Sequence, residues 1–140
     1  MSGTKRRHEA MRWLDQARAD LRAARQSCKT KTYEWSCFQC QQAGEKALKA
    51  LWFLHLGDPW GHSLVRLVVE FPAEAGHKVK VIELLPQARR LDKLYIPTRY
   101  PNGLPDLTPS EVYDVSEAKA ALQDAETIIS FVAERMGSET

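Results

Sequence analysis

The stretch "YEWSCFQCQQAGEKALKALWFLHL", residues 33–56, decides the fold class. Cys37, Cys40, Gly44, Ala47, Leu51 and Leu54 recur at alternating steps of three and four, the period of a helix with one wide apolar face. Gln41, Gln42, Glu45, Lys46 and Lys49 occupy the other side. Glu45 precedes Lys49 by four residues, the better orientation for a helical ion pair, worth about 0.2–0.5 kcal/mol when exposed. Gly44 costs about 1 kcal/mol against alanine inside a helix, which close approach of another backbone would justify. "GDPWG", residues 57–61, stops the helix.

Working outward, "KTKT" at 29–32 separates this helix from an earlier one over 8–28. Trp13, Ala17, Leu21, Ala24 and Cys28 form its apolar stripe; Arg18, Arg22, Arg25 and Lys29 form a basic one. Residues 62–71 read as a short third helix, and 78–95 as another that Pro86 deforms. A strand over "LVRLVV" has no second strand to pair with. The loop 96–109 holds Pro97, Pro101, Pro105 and Pro109, and a loop of that length is often functional. Thr108, Pro109 and Glu111 then spell a capping box. Val112, Val115, Leu122, Ala125, Ile129, Val132 and Met136 continue the last helix. The expectation is one all-α domain over 1–140: an up-and-down four-helix bundle with an additional short helix, and frayed tails at 1–7 and 137–140.

The 140 residues carry a net charge of only +2, unevenly spread. Residues 1–31 hold nine Lys/Arg against three Asp/Glu, and residues 102–140 hold two against eight. Neighbouring first and last helices whose charges attract explain this; a basic face for phosphate or nucleic acid is the alternative. No apolar run is long enough for a membrane span, and no secretory signal is visible, so a cytoplasmic location is expected. Cys28, Cys37 and Cys40 read as free thiols. Cys37-Phe-Gln-Cys40 lies on an apolar helix face without a second ligand pair, so no metal site is expected. His55 and His62 carry no nucleophile spacing, and no glycine-rich phosphate loop is present.

Two segments are more specific: "QQAGEKALKA" at 41–50 and "LDKLYIPTRYP" at 91–101. With "WLDQARADLRAA" (13–24), "YEWSCFQC" (33–40) and "WGHSLVRLV" (60–68), they make the chain similar to the HEPN domains. These are the nucleotide-binding domains of higher eukaryotes and prokaryotes, and the likeness is to their small stand-alone bacterial members. The resemblance implies a four-helix bundle with an extra short helix, often dimeric. Many HEPN members are metal-independent ribonucleases that use an arginine followed four to six residues later by a histidine. No histidine follows residue 77 here, and none has an arginine at that spacing before it. Other members are accessory partners of small nucleotidyltransferases in toxin–antitoxin-like pairs. The sacsin C-terminal HEPN domain, similar in "RYP" and "EWxCFxC", binds nucleotides as a dimer.

The resemblance and the residues together imply a non-catalytic module that binds a nucleotide, ATP or GTP, or another polyanion. No catalytic residue and no required cofactor is expected. Arg99 offers a rigid donor fork suited to phosphate, and Pro97 and Pro101 restrict its backbone. Tyr95 and Tyr100 suit stacking. Lys93 is near in sequence, and Lys46, Lys49, Glu45 and His62 complete the candidate set. The competing reading pairs Arg99 with Asp92 or Glu45 inside the bundle. Expected partners are a second copy and a nucleotidyltransferase, with nucleic acid less favoured and no membrane. Two further readings are a divergent ribonuclease toxin using Arg99, Tyr100 and His62, and a helical interaction module presenting Gly44, Trp52, Phe53 and Trp60.

Overall fold

The computed structural model describes residues 2–55, 57–72 and 80–138, and every regular element among them is helical. These are α1 (Gly3–Lys29), α2 (Tyr33–Leu54), α3 (Leu64–Val69), α4 (Leu85–Asp92), α5 (Pro109–Val112) and α6 (Val115–Ser138), with 3-10 turns at Val81–Leu84 and Pro101–Gly103. The long helices α1, α2 and α6 pack on one another, and the short α3 and α4 close the fourth side.

Helix α1 starts earlier than its apolar stripe suggests. Ser2 accepts from the Lys5 amide, so residues 3–7 are helical rather than a frayed tail. Arg7 donates to the Met136 carbonyl at 2.8 Å and fastens the start of α1 to the end of α6. Helix α6 is regular through Ser138; residues 139–140 lie outside the described residues. The turn at 30–32 is tight: Thr32 N donates to Ser27 O at 2.9 Å, with Lys31 at φ 66° in the left-handed region. Ser36 Oγ, fully buried, donates to Ala24 O and locks α2 back onto α1.

Pro86 stands in the first turn of α4, where its missing N–H is harmless, so it opens that helix instead of deforming a longer one. The capping box at Thr108 and Glu111 forms, but only one turn follows. The chain extends at Tyr113, and Asp114 caps anew: it accepts from the Glu117 amide at 3.0 Å while Glu117 accepts from Asp114 N at 3.2 Å. These cap bonds hold the Asp114 carboxyl below its usual 3.8. "DVSE" repeats the grammar of "TPSE" six residues on, a signal present in the sequence.

The opposite charges of the two ends do meet across α1 and α6, where Arg25 pairs with Glu126 at 2.6 Å. On the other side of α6, Arg90 of α4 forks onto Asp124 at 2.8 and 2.9 Å.

Helix α2 touches α1, α3, α4, α5 and α6. Gly44 sits where they crowd in: a Cβ there would lie 2.8 Å from Leu64, 2.9 Å from Leu91 and 3.4 Å from Ile128. All three neighbours are fully buried, so their methyl groups can move aside only by repacking the core. Alanine at this position gains about 1 kcal/mol of helix propensity but overpacks at a cost of about 1–3 kcal/mol. Gly44→Ala should therefore lower the unfolding free energy by about 1 kcal/mol and Gly44→Val by about 3 kcal/mol. Urea midpoints check this; a valine variant as stable as the parent would show that the crossing is loose.

Candidate functional site

Much of the polar side of α2 is turned away from water. Gln41 is fully buried, Glu45 is 4% exposed and Lys49 8% exposed, because other helices and the 60–63 loop surround this helix. Lys49 Nζ donates to Glu45 at 3.0 Å. Gln41 Nε2 donates to Glu45 at 3.2 Å and to the His62 carbonyl at 3.1 Å. The expected surface ion pair is thus a buried one, and removing either partner leaves the other charge stranded. Lys49 also lies 5.8 Å from the Trp13 ring centroid of α1.

Glu45 reaches outward through one more contact. His62 Nδ1 lies 3.4 Å from its carboxylate, and the imidazole, 59% exposed, stacks on Tyr95 at 4.7 Å with the planes 21° apart. With its proton on Nδ1, His62 donates to Glu45 and leaves Nε2 free of that bond.

Arg99 approaches the same tyrosine. Its guanidinium carbon lies 4.7 Å from the Tyr95 centroid, 4.4 Å from that of Phe38 and 5.2 Å from that of Tyr100. Nε donates to the Tyr95 carbonyl at 2.9 Å. The loop holds this pose because Thr98, 1% exposed, donates to Leu94 O at 2.6 Å, and the Arg99 and Tyr100 amides both bond Ile96 O. Tyr100 remains 51% exposed. No carboxylate among the described residues pairs with Arg99. Glu45 is taken by Lys49 and His62, and Asp92 binds the start of α3. Internal neutralisation of Arg99 by Asp92 or Glu45 does not occur.

The structure therefore gathers Arg99, Tyr95, Tyr100, His62, Glu45 and Lys49 into one chain of contacts and adds Phe38 and Gln41, neither of which the sequence marks as a candidate. Lys46 points elsewhere, to Asp20 of α1 at 2.7 Å, beside an open groove of about 580 Å³ floored by Trp13. Lys93 is exposed and makes none of these contacts. Of the aromatics expected at the surface, Trp60 is 72% exposed beneath Arg66, whereas Trp52 and Phe53 pack on the core and Trp52 Nε1 donates to Leu67 O. Among the described residues no three His, Cys, Asp or Glu side chains converge as a metal site, and no helix is long and apolar enough to cross a membrane.

Cys37 and Cys40 are fully buried. Burial first, and nearby acids second, push the Cys37 thiol up to about 12; Cys40 is raised further. Iodoacetamide at pH 8 should label half-buried Cys28 in the native protein and spare the other two, while urea exposes all three to labelling. Peptide mass spectrometry reads the result; rapid native labelling of Cys40 would contradict the packing of α2.

Comparison with known proteins places this geometry. The chain resembles a crystal structure of a Thermus thermophilus protein at TM-score 0.82 and 41% identity, covering 89% of this chain and 96% of that one. An archaeal HEPN homologue follows at TM-score 0.75 and 32% identity, covering 91% and 97%. A HEPN domain protein from Thermotoga maritima aligns at TM-score 0.67 and 30% identity, covering 90% and 98%. A Methanocaldococcus jannaschii protein provisionally named a toxin is 29% identical over 127 residues, 86% of this chain and 83% of that one. The HEPN domain model matches residues 10–136, and the chain belongs to the HEPN domain family.

Proposed function

We propose that this protein is a non-catalytic HEPN module that binds a nucleotide or another polyanion, acting as a homodimer and as accessory partner of a small nucleotidyltransferase in a toxin–antitoxin-like pair. The observation that carries the reading is the pose of Arg99. Three ring faces and one carbonyl hold the guanidinium, so its remaining N–H donors stay available to phosphate oxygens. The half-exposed ring of Tyr100 beside it gives a base a surface to stack on. The Methanocaldococcus jannaschii relative's toxin name supports the wider setting, and the exposed Trp35 and Trp60 suit a protein interface.

Isothermal titration with ATP and with GTP, at tens of micromolar protein, tests the ligand. Binding is expected in the parent and should weaken at least tenfold in Arg99→Ala, with partial retention in Arg99→Lys. No heat with either nucleotide sinks this reading, as does binding that Arg99→Ala leaves intact. Light scattering reads the dimer.

A second reading rests on His62. A buried carboxylate at Nδ1 of an imidazole that is 59% exposed, with Tyr95 shared between imidazole and guanidinium, is an arrangement that suits a general base. A divergent ribonuclease would use it. The expected result with tRNA and total RNA is no cleavage; cleavage lost in both His62→Ala and Arg99→Ala would replace the first reading with this one.

A further inference from the structure

His62 and Arg99 come from different loops, residues 60–63 and 93–100, and the internal hydrogen bonds that brace the second do not reach the first. One side chain joins them. Asp92, the last residue of α4, accepts three hydrogen bonds from the start of α3: Ser63 Oγ at 2.8 Å, Leu64 N at 2.6 Å and Val65 N at 3.0 Å. Ser63 in turn accepts from the Arg66 amide as the ordinary N-cap of α3. The carboxylate thus sits one residue before the loop that carries Tyr95 and Arg99, and it holds the residue that follows His62.

We infer that Asp92 is the positioning residue of the candidate site: its carboxylate sets the 60–63 loop against the 93–100 loop and thereby stacks His62 on Tyr95, without itself meeting a ligand. The inference rests on the nucleotide reading only for its effect on binding, since the stack exists without a ligand. Three features carry it. The bonds are charge-assisted and short, which makes them stronger than neutral ones. They converge on backbone amides of the first turn of α3, so their loss frees the chain direction and not one side chain alone. Gly61, at φ +82°, lies immediately before His62 and gives that loop a backbone conformation that other residues rarely adopt, so the imidazole's placement depends on where the loop is anchored. Two other contacts hold His62, the Gln41 bond to its carbonyl and the 3.4 Å contact of its Nδ1 with Glu45, and neither reaches the start of α3.

Proton NMR of the full chain tests this. The two imidazole C–H resonances of His62, assigned by their loss in His62→Gln, should be displaced by the ring current of Tyr95 and should return toward free-histidine positions in Tyr95→Leu. Asp92→Ala should produce the same return in a protein whose far-ultraviolet circular dichroism stays helical, and Asp92→Asn, which keeps one acceptor oxygen, about half of it. Ser63→Ala, which removes one of the three bonds together with the cap on Arg66, should produce a partial return, smaller than that of Asp92→Ala. ATP affinity should fall at least tenfold in Asp92→Ala. Should Asp92→Ala unfold the chain, Asp92→Asn and Ser63→Ala carry the test. His62 resonances that hold their places in the folded Asp92 and Ser63 variants overturn the inference, whatever the nucleotide does. Moved resonances with no ATP or GTP binding in the parent support the positioning role and refute the nucleotide reading.

Discussion

Close approach at Gly44 is the constraint on which the rest depends. Leu64, Leu91 and Ile128 come from α3, α4 and α6, and all three reach the same point on α2 because no Cβ stands there. Surrounding a helix in this way leaves it little solvent face, with Trp35 in its first turn the exposed residue. Its neighbours along the core are small, with Ala43, Ala47 and Ala50 all fully buried, which keeps the crowding possible over several turns. The polar residues that the sequence places on α2 must then find partners inside. Gln41, Glu45 and Lys49 do so along one row at four-residue spacing. The site is a consequence of that packing, since Glu45 has one contact to spare for His62.

Much of this organisation was legible in the sequence. The apolar stripes marked α1, α2 and α6, the capping box marked the place where the chain re-enters helix after the proline loop, and the opposed charges of the ends predicted the contact that Arg25 and Glu126 make. Three things were not legible, each for a physical reason. Periodicity separates apolar from polar, but a helix packed on all sides buries both, so the burial of Glu45 and Lys49 left no trace in the pattern. The competing reading paired Arg99 with Asp92 or Glu45, but the amides of α3 take Asp92, and backbone donors carry no sequence signature. The third is the setting of Arg99, where the ring faces of Phe38, Tyr95 and Tyr100 take the place that the competing reading gave to a carboxylate.

The break at Tyr113 shows the same logic. One capping box licenses one helix start, and the sequence from Thr108 contains two in succession. The first sets a single turn that ends the proline loop, and the second sets the direction of α6. Between them Tyr113 is 8% exposed, and burial raises its phenol, so the extended residue works as a plug against α2 near Cys37.

The way Arg99 is held has a consequence at longer range. Arg12, Arg18, Arg25, Arg66, Arg90 and Arg135 each stand beside a carboxylate that cancels their field. Aromatic faces and a carbonyl attract a guanidinium without cancelling its charge. The charge of Arg99 therefore stands without a carboxylate beside it among the described residues, and its field reaches solvent over the Debye length, about 8 Å at physiological salt. Under the proposed function an anionic ligand would meet that field before contact, so its encounter rate, more than the lifetime of the complex, would carry the dependence on ionic strength.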